Sequence, residues 1–252
     1  MQKETLDYLI KLYFDRIAEV GFTKYVKECE GYKFDFVNHF QNNFDINATD
    51  FHKMLEEALL NNNLTGGKFY FPKQTILNFL KIDELKIKNA FINLFDENNF
   101  IVDRIDNFKQ VFDEMMAEEN KNNNGHLHTF IDLRFISLLL ASMYPDDYYY
   151  IMITPFKRVG KYLDINIHAP RGASYGEKYR ILARVADKVR DIIIKLPEIK
   201  KVHDGFIDHN NRETYKRMLK DDKYCWTIQD FIWITGRKLD KSKDPISDPV
   251  LA

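Results

Sequence analysis

The sequence predicts a mainly α-helical fold of two lobes, with a small β-hairpin element near residues 148–168. Three observations carry that expectation. Apolar residues recur at three- and four-residue spacing through most of the chain, as on one face of a helix. Glycine and proline are scarce, 10 and 7 in 252 residues, which disfavours a turn-rich β-sandwich. Alternation of the strand kind is confined to one stretch, where Leu163, Ile165 and Ile167 are interleaved with Asp164 and Asn166.

The first lobe is placed at residues 1–120. Leu6, Leu9, Ile10, Tyr13, Ile17 and Val20 form an amphipathic stripe that stops at Gly21, a glycine just past a helix end. Phe34, Val37 and Phe40 make a second stripe before the polar break Gln41-Asn42-Asn43. A third helix begins near Thr49 or Asp50, either of which caps well, and buries Phe51, Met54, Leu55, Ala58 and Leu59. After Asn61-Asn62-Asn63 and Gly66-Gly67, Pro72 suits the first turn of a helix carrying Ile76, Leu77 and Leu80. Asp83 caps the next, with Ile87, Phe91, Leu94 and Phe95 inward, and Ile101, Ile105, Phe108, Phe112 and Met115 continue the pattern to about Glu119.

Lys121-Asn122-Asn123-Asn124-Gly125 is the strongest loop signal, so it marks the lobe boundary. The second lobe covers 126–238. It starts with a helix through Leu133, Ile136, Leu139 and Leu140 to Tyr144-Pro145, followed by strand-like Tyr148 to Ile153 and the alternating stretch. Helix resumes through Tyr179, Leu182, Ala186, Val189 and Ile193 and stops before Pro197. A shorter helix covers Arg212 to Leu219, and Thr227 caps a last one that buries Ile228, Phe231 and Ile232. Residues 239–252 are polar and proline-bearing and read as a tail or linker.

Composition narrows the function classes. Lys and Arg total 37 against 38 for Asp and Glu, a net charge of −1, so wholesale binding of a polyanion is not implied. Cys29 and Cys225 are far apart and outside any CxxC spacing, which supports neither a disulfide framework nor a cysteine zinc site. The opening MQKETLDYLIKLYF has acidic residues and no uninterrupted apolar run, unlike a signal peptide. No stretch approaches the roughly 18 apolar residues of a membrane span. The expected location is cytoplasmic.

Catalytic signatures fail on inspection. Leu64-Thr65-Gly66-Gly67-Lys68 lacks the glycine five residues before the lysine and the Ser or Thr after it, so it cannot grip phosphate and magnesium as a P-loop does. His126 and His128 flank a loop, and His203-Asp204 with Asp208-His209 sit in a turn-like stretch, one part of what a metal phosphohydrolase needs. Pro145-Asp146-Asp147 followed by Thr154-Pro155-Phe156-Lys157 has no carboxylate two residues before the lysine, as a PD-(D/E)xK nuclease requires. No catalytic residue, metal ligand or cofactor is therefore predicted. The surface candidate is Lys157, Arg158, Lys161 and Arg171 beside the aromatic run that includes Tyr149, because basic side chains among aromatics neutralise phosphates and stack on bases. A solvated loop beside a half-buried strand is the competing reading.

Several segments, taken in order, resemble one family. Glu30-Gly31-Tyr32-Lys33-Phe34, Phe40-Gln41, Asp45-Ile46, Asp50-Phe51, Met54-Leu55 and Ala58-Leu59 are similar to the helical region ahead of the motor in McrB-like restriction proteins. Asn63-Leu64, Phe71-Pro72, Leu94-Phe95-Asp96-Glu97 with Arg104-Ile105 and Phe108, then Ser137, Leu139-Leu140, Pro145, Tyr148, Tyr179 and Asp230-Phe231-Ile232-Trp233 follow in the same order. Phe34 stands where that family usually shows Trp, and the GTP-hydrolysing AAA+ motor is absent from these residues. The resemblance implies a non-catalytic module of a restriction or phage-defence system, partnered by an AAA+ motor and its nuclease, with DNA as a further partner. On the residues alone, Arg104 beside Asp103 and Asp106, with Asp96 and Glu97 one loop earlier, is expected to staple two helices by ion pairing.

Overall fold

The computed structural model describes residues 3–60, 64, 70–123, 125, 127–209 and 223–239, and every regular element among them is helical. In order these are α1 (Lys3–Val20), a short α2 (Phe22–Lys24) that runs into a π-helical turn at Tyr25–Cys29, α3 (Tyr32–Asn43), α4 (Phe51–Ala58), α5 (Pro72–Leu80) and α6 (Glu84–Phe95). Then come α7 (Ile101–Asn123), α8 (Leu133–Met143), α9 (Ile153–Tyr162), α10 (Tyr175–Ile193), α11 (Pro197–His209) and α12 (Cys225–Lys238). No helix among the described residues is long and apolar enough to cross a membrane.

Local chemistry sets most of the helix ends. Asp50 and Asp83 accept from the amides of Lys53 and Lys86 at 2.9 and 2.8 Å, satisfying donors that a first turn leaves unpaired. Pro72 opens α5, where its missing amide is harmless. Gly21 follows α1 with φ of 88°, a conformation that glycine adopts without a Cβ penalty. Ser174 and Glu177 form a reciprocal capping box at the start of α10.

The β-hairpin is not there. Residues 148–152 are extended but bury Tyr149, Tyr150 and Ile151 in succession rather than alternately. Their amides make no ladder: Tyr148 donates to the Tyr144 carbonyl at 3.2 Å, Tyr149 to the Tyr179 hydroxyl at 3.1 Å and Ile151 to Ser137 Oγ at 2.9 Å. Residues 153–162 form α9. It ends in a Schellman turn, with the Ile165 amide on the Gly160 carbonyl at 2.8 Å, Asp164 on Lys161 at 3.1 Å, and Asp164 at φ 54°. The alternation of Leu163, Ile165 and Ile167 is thus a helix exit lying on α9 and α10.

Further differences are smaller. α7 runs on through Asn123, three residues into the loop signal at 121–125. The stretch 197–209 is helix and not turn. The N-cap of α12 is Tyr224, and Thr227 lies inside the helix, fully buried. The expected helix at 212–219, the Gly66-Gly67-Lys68 turn, His126 and the tail from 240 lie outside the described residues.

One apolar core runs through both expected lobes, and packing crosses the 121–125 boundary where α3 meets α8, α7 meets α10 and α1 meets α12. Aromatic side chains dominate it; the Phe91 and Phe108 rings meet edge-on at 5.2 Å and join α6 to α7. Each such ring, fully buried, contributes about 1.5–3 kcal/mol. α12 is enclosed on nearly every face, with Trp226, Ile228, Phe231 and Ile232 at 3% exposure or less. A helix surrounded this way must satisfy every polar group it carries. That requirement builds a buried polar site around Asp230.

Candidate functional site

Asp230, in the middle of α12, is 0% exposed. Tyr13 of α1 and Tyr25 of the π-turn donate to its Oδ2 at 2.8 and 2.6 Å, and Lys33 of α3 donates to Oδ1 at 2.8 Å. Glu30 Oε2 lies 2.7 Å from the same Lys33 Nζ, an ion pair without hydrogen-bond alignment. Three elements therefore converge on a carboxylate carried by a fourth.

The backbone that delivers Glu30 and Lys33 depends on Gly31. A Cβ there would stand 2.3 Å from the Val26 carbonyl oxygen, so only glycine lets the π-turn fold directly into α3. Burial alone would lower the Lys33 pKa, but the Asp230 and Glu30 carboxylates outweigh it and hold it above the ordinary lysine value. Burial raises Glu30, and Lys33 only partly opposes that. Burial beside Asp230 raises both tyrosines. A Lys, Asp and two Tyr resemble acid–base machinery, yet Tyr13, Tyr25, Lys33 and Asp230 are each at most 1% exposed. As arranged they tie α1, the π-turn, α3 and α12 together.

Arg104, at 1% exposure, forms a second buried junction. Its Nε donates to the Leu94 carbonyl at 2.8 Å, satisfying one of the acceptors left over at the end of α6. One terminal nitrogen donates to the Tyr148 hydroxyl at 2.7 Å, and the Tyr148 hydroxyl in turn lies 3.4 Å from Glu97. The expected stapling of two helices is present, but by a carbonyl and a phenol. Among the described residues Arg104 makes no direct ion pair with Asp96 or Glu97, because Asp96 is engaged by Asn98 and Asn99 in its own turn.

The basic–aromatic candidates separate. Tyr149 is 4% exposed; its hydroxyl donates to Asp187 at 3.0 Å and accepts from Arg190 at 2.9 Å. It cannot present a face to a base. Lys157 is 8% exposed on α9, and Arg158 is half-buried and donates to the Gly236 carbonyl at 3.2 Å. Lys161 and Arg171 are exposed. Beside them the sequence reading missed Arg180, Arg184 and Lys188, all exposed and four residues apart on one row of α10. The Arg171 loop is held against that helix by Ala169 on Ile181.

Among the described residues the histidines do not gather. His203 is 4% exposed, stacked on Tyr224 with centroids 4.0 Å apart, and its Nδ1 lies 2.8 Å from Thr227 Oγ1. Asp208 and His209 are exposed farther along α11. No three potential metal ligands come together among the described residues. A cavity of about 330 Å³, lined by Phe71, Phe79, Met116 and Phe130 with Gln74 and His128, opens between α5, α7 and the 127–130 segment. Its size and apolar lining suit a small hydrophobic group.

Lys33 and Asp230 both lie in segments that carry the family resemblance, but nothing in the sequence pairs them. The signal that was there is a charged residue at the centre of an otherwise apolar helix. Compared with protein-family models, curated proteins and solved structures, the chain matches none.

Proposed function

We propose that this chain is a non-catalytic helical module of a McrB-like AAA+ restriction or phage-defence system, coupling recognition of a DNA target to an NTP-driven motor and the nuclease it recruits. One observation supports this reading above the others. The separate segments that carry the resemblance meet at the two buried junctions: Glu30 and Lys33 with Asp230, and Leu94 with Arg104 and Tyr148. What such proteins would have in common is then a core and not a reactive centre. The polar side chains that chemistry would need are bonded to one another. A system acting on intracellular DNA also places the chain in the cytoplasm.

The reading requires a P-loop motor and a nuclease encoded in the same or a neighbouring reading frame. Co-expressed with that motor, the chain is expected to be retained as a stoichiometric complex. A coding neighbourhood without motor or nuclease ends the reading, and turnover of GTP or ATP by the isolated chain contradicts its non-catalytic part.

A second reading, direct nucleic-acid binding, is favoured by the exposed row Arg180, Arg184 and Lys188 beside Lys161 and Arg171. Titration of labelled DNA at two salt concentrations tests it. Binding should weaken steeply with salt and be lost in the Arg180, Arg184 and Lys188 triple alanine variant. No binding at low salt removes it.

A further inference from the structure

We propose, resting on the nucleic-acid reading of this face, that the exposed row of α10 grips the phosphate backbone of a double helix without reading its bases. Arg180, Arg184 and Lys188 recur every fourth residue, so like charges line about 12 Å of one flank. Cations at that spacing repel each other. Other helices avoid this by pairing: Lys11 with Asp15, Arg16 with Glu19, Lys109 with Asp113 and Lys200 with Asp204. On α10 the carboxylates are engaged away from the row. Glu177 closes the capping box with Ser174, while Asp187 and Asp191 both lie on Arg190. Among the described residues Arg180, Arg184 and Lys188 form no ion pair. Such a row, in a chain whose net charge is −1, calls for an anionic partner.

Packing extends the row and braces it. Gly160 lets α9 close on α10, since a Cβ there would stand 2.6 Å from Ile167 Cγ2 and 3.0 Å from Val185 Cγ2. The chain leaving α9 then lies on α10 through Ala169 against Ile181, which sets the exposed Arg171 near the Arg180 end. The aromatic side chains decide between duplex and single strand. A single strand is held by rings on which its bases stack. Among the described residues no exposed large apolar side chain lies on α9, α10 or the segment between them. Tyr149 is 4% exposed, Tyr162 lies against Tyr8 of α1 with centroids 5.9 Å apart, and Lys109 and Lys178 cover the Tyr175 ring at 5.2 and 5.3 Å. Without stacking, contact is with phosphates alone, and these carry no sequence information.

Anisotropy titration of a labelled duplex and of one of its strands, at salt from about 50 to 200 mM, tests this. The duplex is expected to bind more tightly. Four phosphate contacts give log K against log salt a slope of about −3.6, a loss of roughly a hundredfold over that range. Duplexes of unrelated sequence, methylated or not, should bind alike. Arg184→Gln, at an exposed position, should make the slope shallower by about one and weaken all duplexes together. Should that variant melt early, Lys188→Gln repeats the test. Tighter binding of the single strand, a preferred sequence, or a slope unmoved by either variant overturns the duplex assignment and leaves nucleic-acid binding standing. Poly-glutamate held as tightly as the duplex overturns it in favour of an acidic protein. No binding of duplex or strand at low salt removes both this assignment and the nucleic-acid reading beneath it.

Discussion

Lys33 Nζ lies 2.8 Å from Asp230 Oδ1, across 197 positions of sequence, and both side chains are fully enclosed. The pair sits where α3 passes α12, and two tyrosines complete the coordination of the carboxylate. An ion pair this deep is held less by its own attraction than by the penalty of breaking it.

Replacing one partner should therefore be severe. Lys33→Met leaves Asp230 buried without its cation and is expected to cost about 3–5 kcal/mol in urea unfolding. The double variant Lys33→Met with Asp230→Leu should lose less than the sum of the two single changes. Strict additivity would mean that the two residues do not act as a pair.

The cluster also gives the molecule a pH signature. Glu30 is raised in the folded state, so as pH climbs past the ordinary glutamate value of 4.5 the unfolded chain loses its proton first, and stability falls across that window. Lys33 is raised above its ordinary 10.5, so its contribution is complete below that value and is lost as pH rises through the folded one. Glu30→Gln should flatten the acidic-side slope and leave the alkaline loss in place. Chemical unfolding at a series of pH values reads both, and an unchanged acidic slope would sink the assignment to Glu30.

Arg104 should behave as a junction and not as a charge. Arg104→Ala removes the bonds to Leu94 and Tyr148 and is expected to cost about 3 kcal/mol or more, since hydrogen bonds involving a charged group contribute about 1.5–3 kcal/mol each. Arg104→Lys keeps the charge but cannot fork between two acceptors, and it should recover less than half of the loss. Full rescue by lysine in thermal melts would show that charge alone matters.

The two thiols should differ. Burial pushes Cys225 up to about 12, with Arg190 only partly opposing, and its Sγ donates to the Asp146 carbonyl at 3.1 Å. Cys29 is half-buried. With a disulfide reagent at mildly alkaline pH, Cys29 should react in the native protein and Cys225 only after denaturant is added. Equal rates would contradict the packing around the start of α12.

How much was legible follows from where each partner lies in the chain. The caps at Asp50 and Asp83, the opening at Pro72 and the stop at Gly21 rest on groups within four residues, so sequence alone placed them. The stripes of α1, α7 and α10 were readable for the same reason: a helix repeats every 3.6 residues wherever it packs. The family resemblance picked out Lys33, Arg104 and Asp230 without saying what they touch.

What the sequence by itself determined, then, is that the chain is mainly helical and where α4, α5 and α6 begin. The tertiary structure alone decided that residues 153–162 coil instead of pairing as strands, that Tyr149 and His203 face inward, and that Asp230 is held by α1, the π-turn and α3. Helix periodicity is a property of neighbours. The fate of a buried polar side chain depends on groups hundreds of positions away, and no local pattern encodes which of them will arrive.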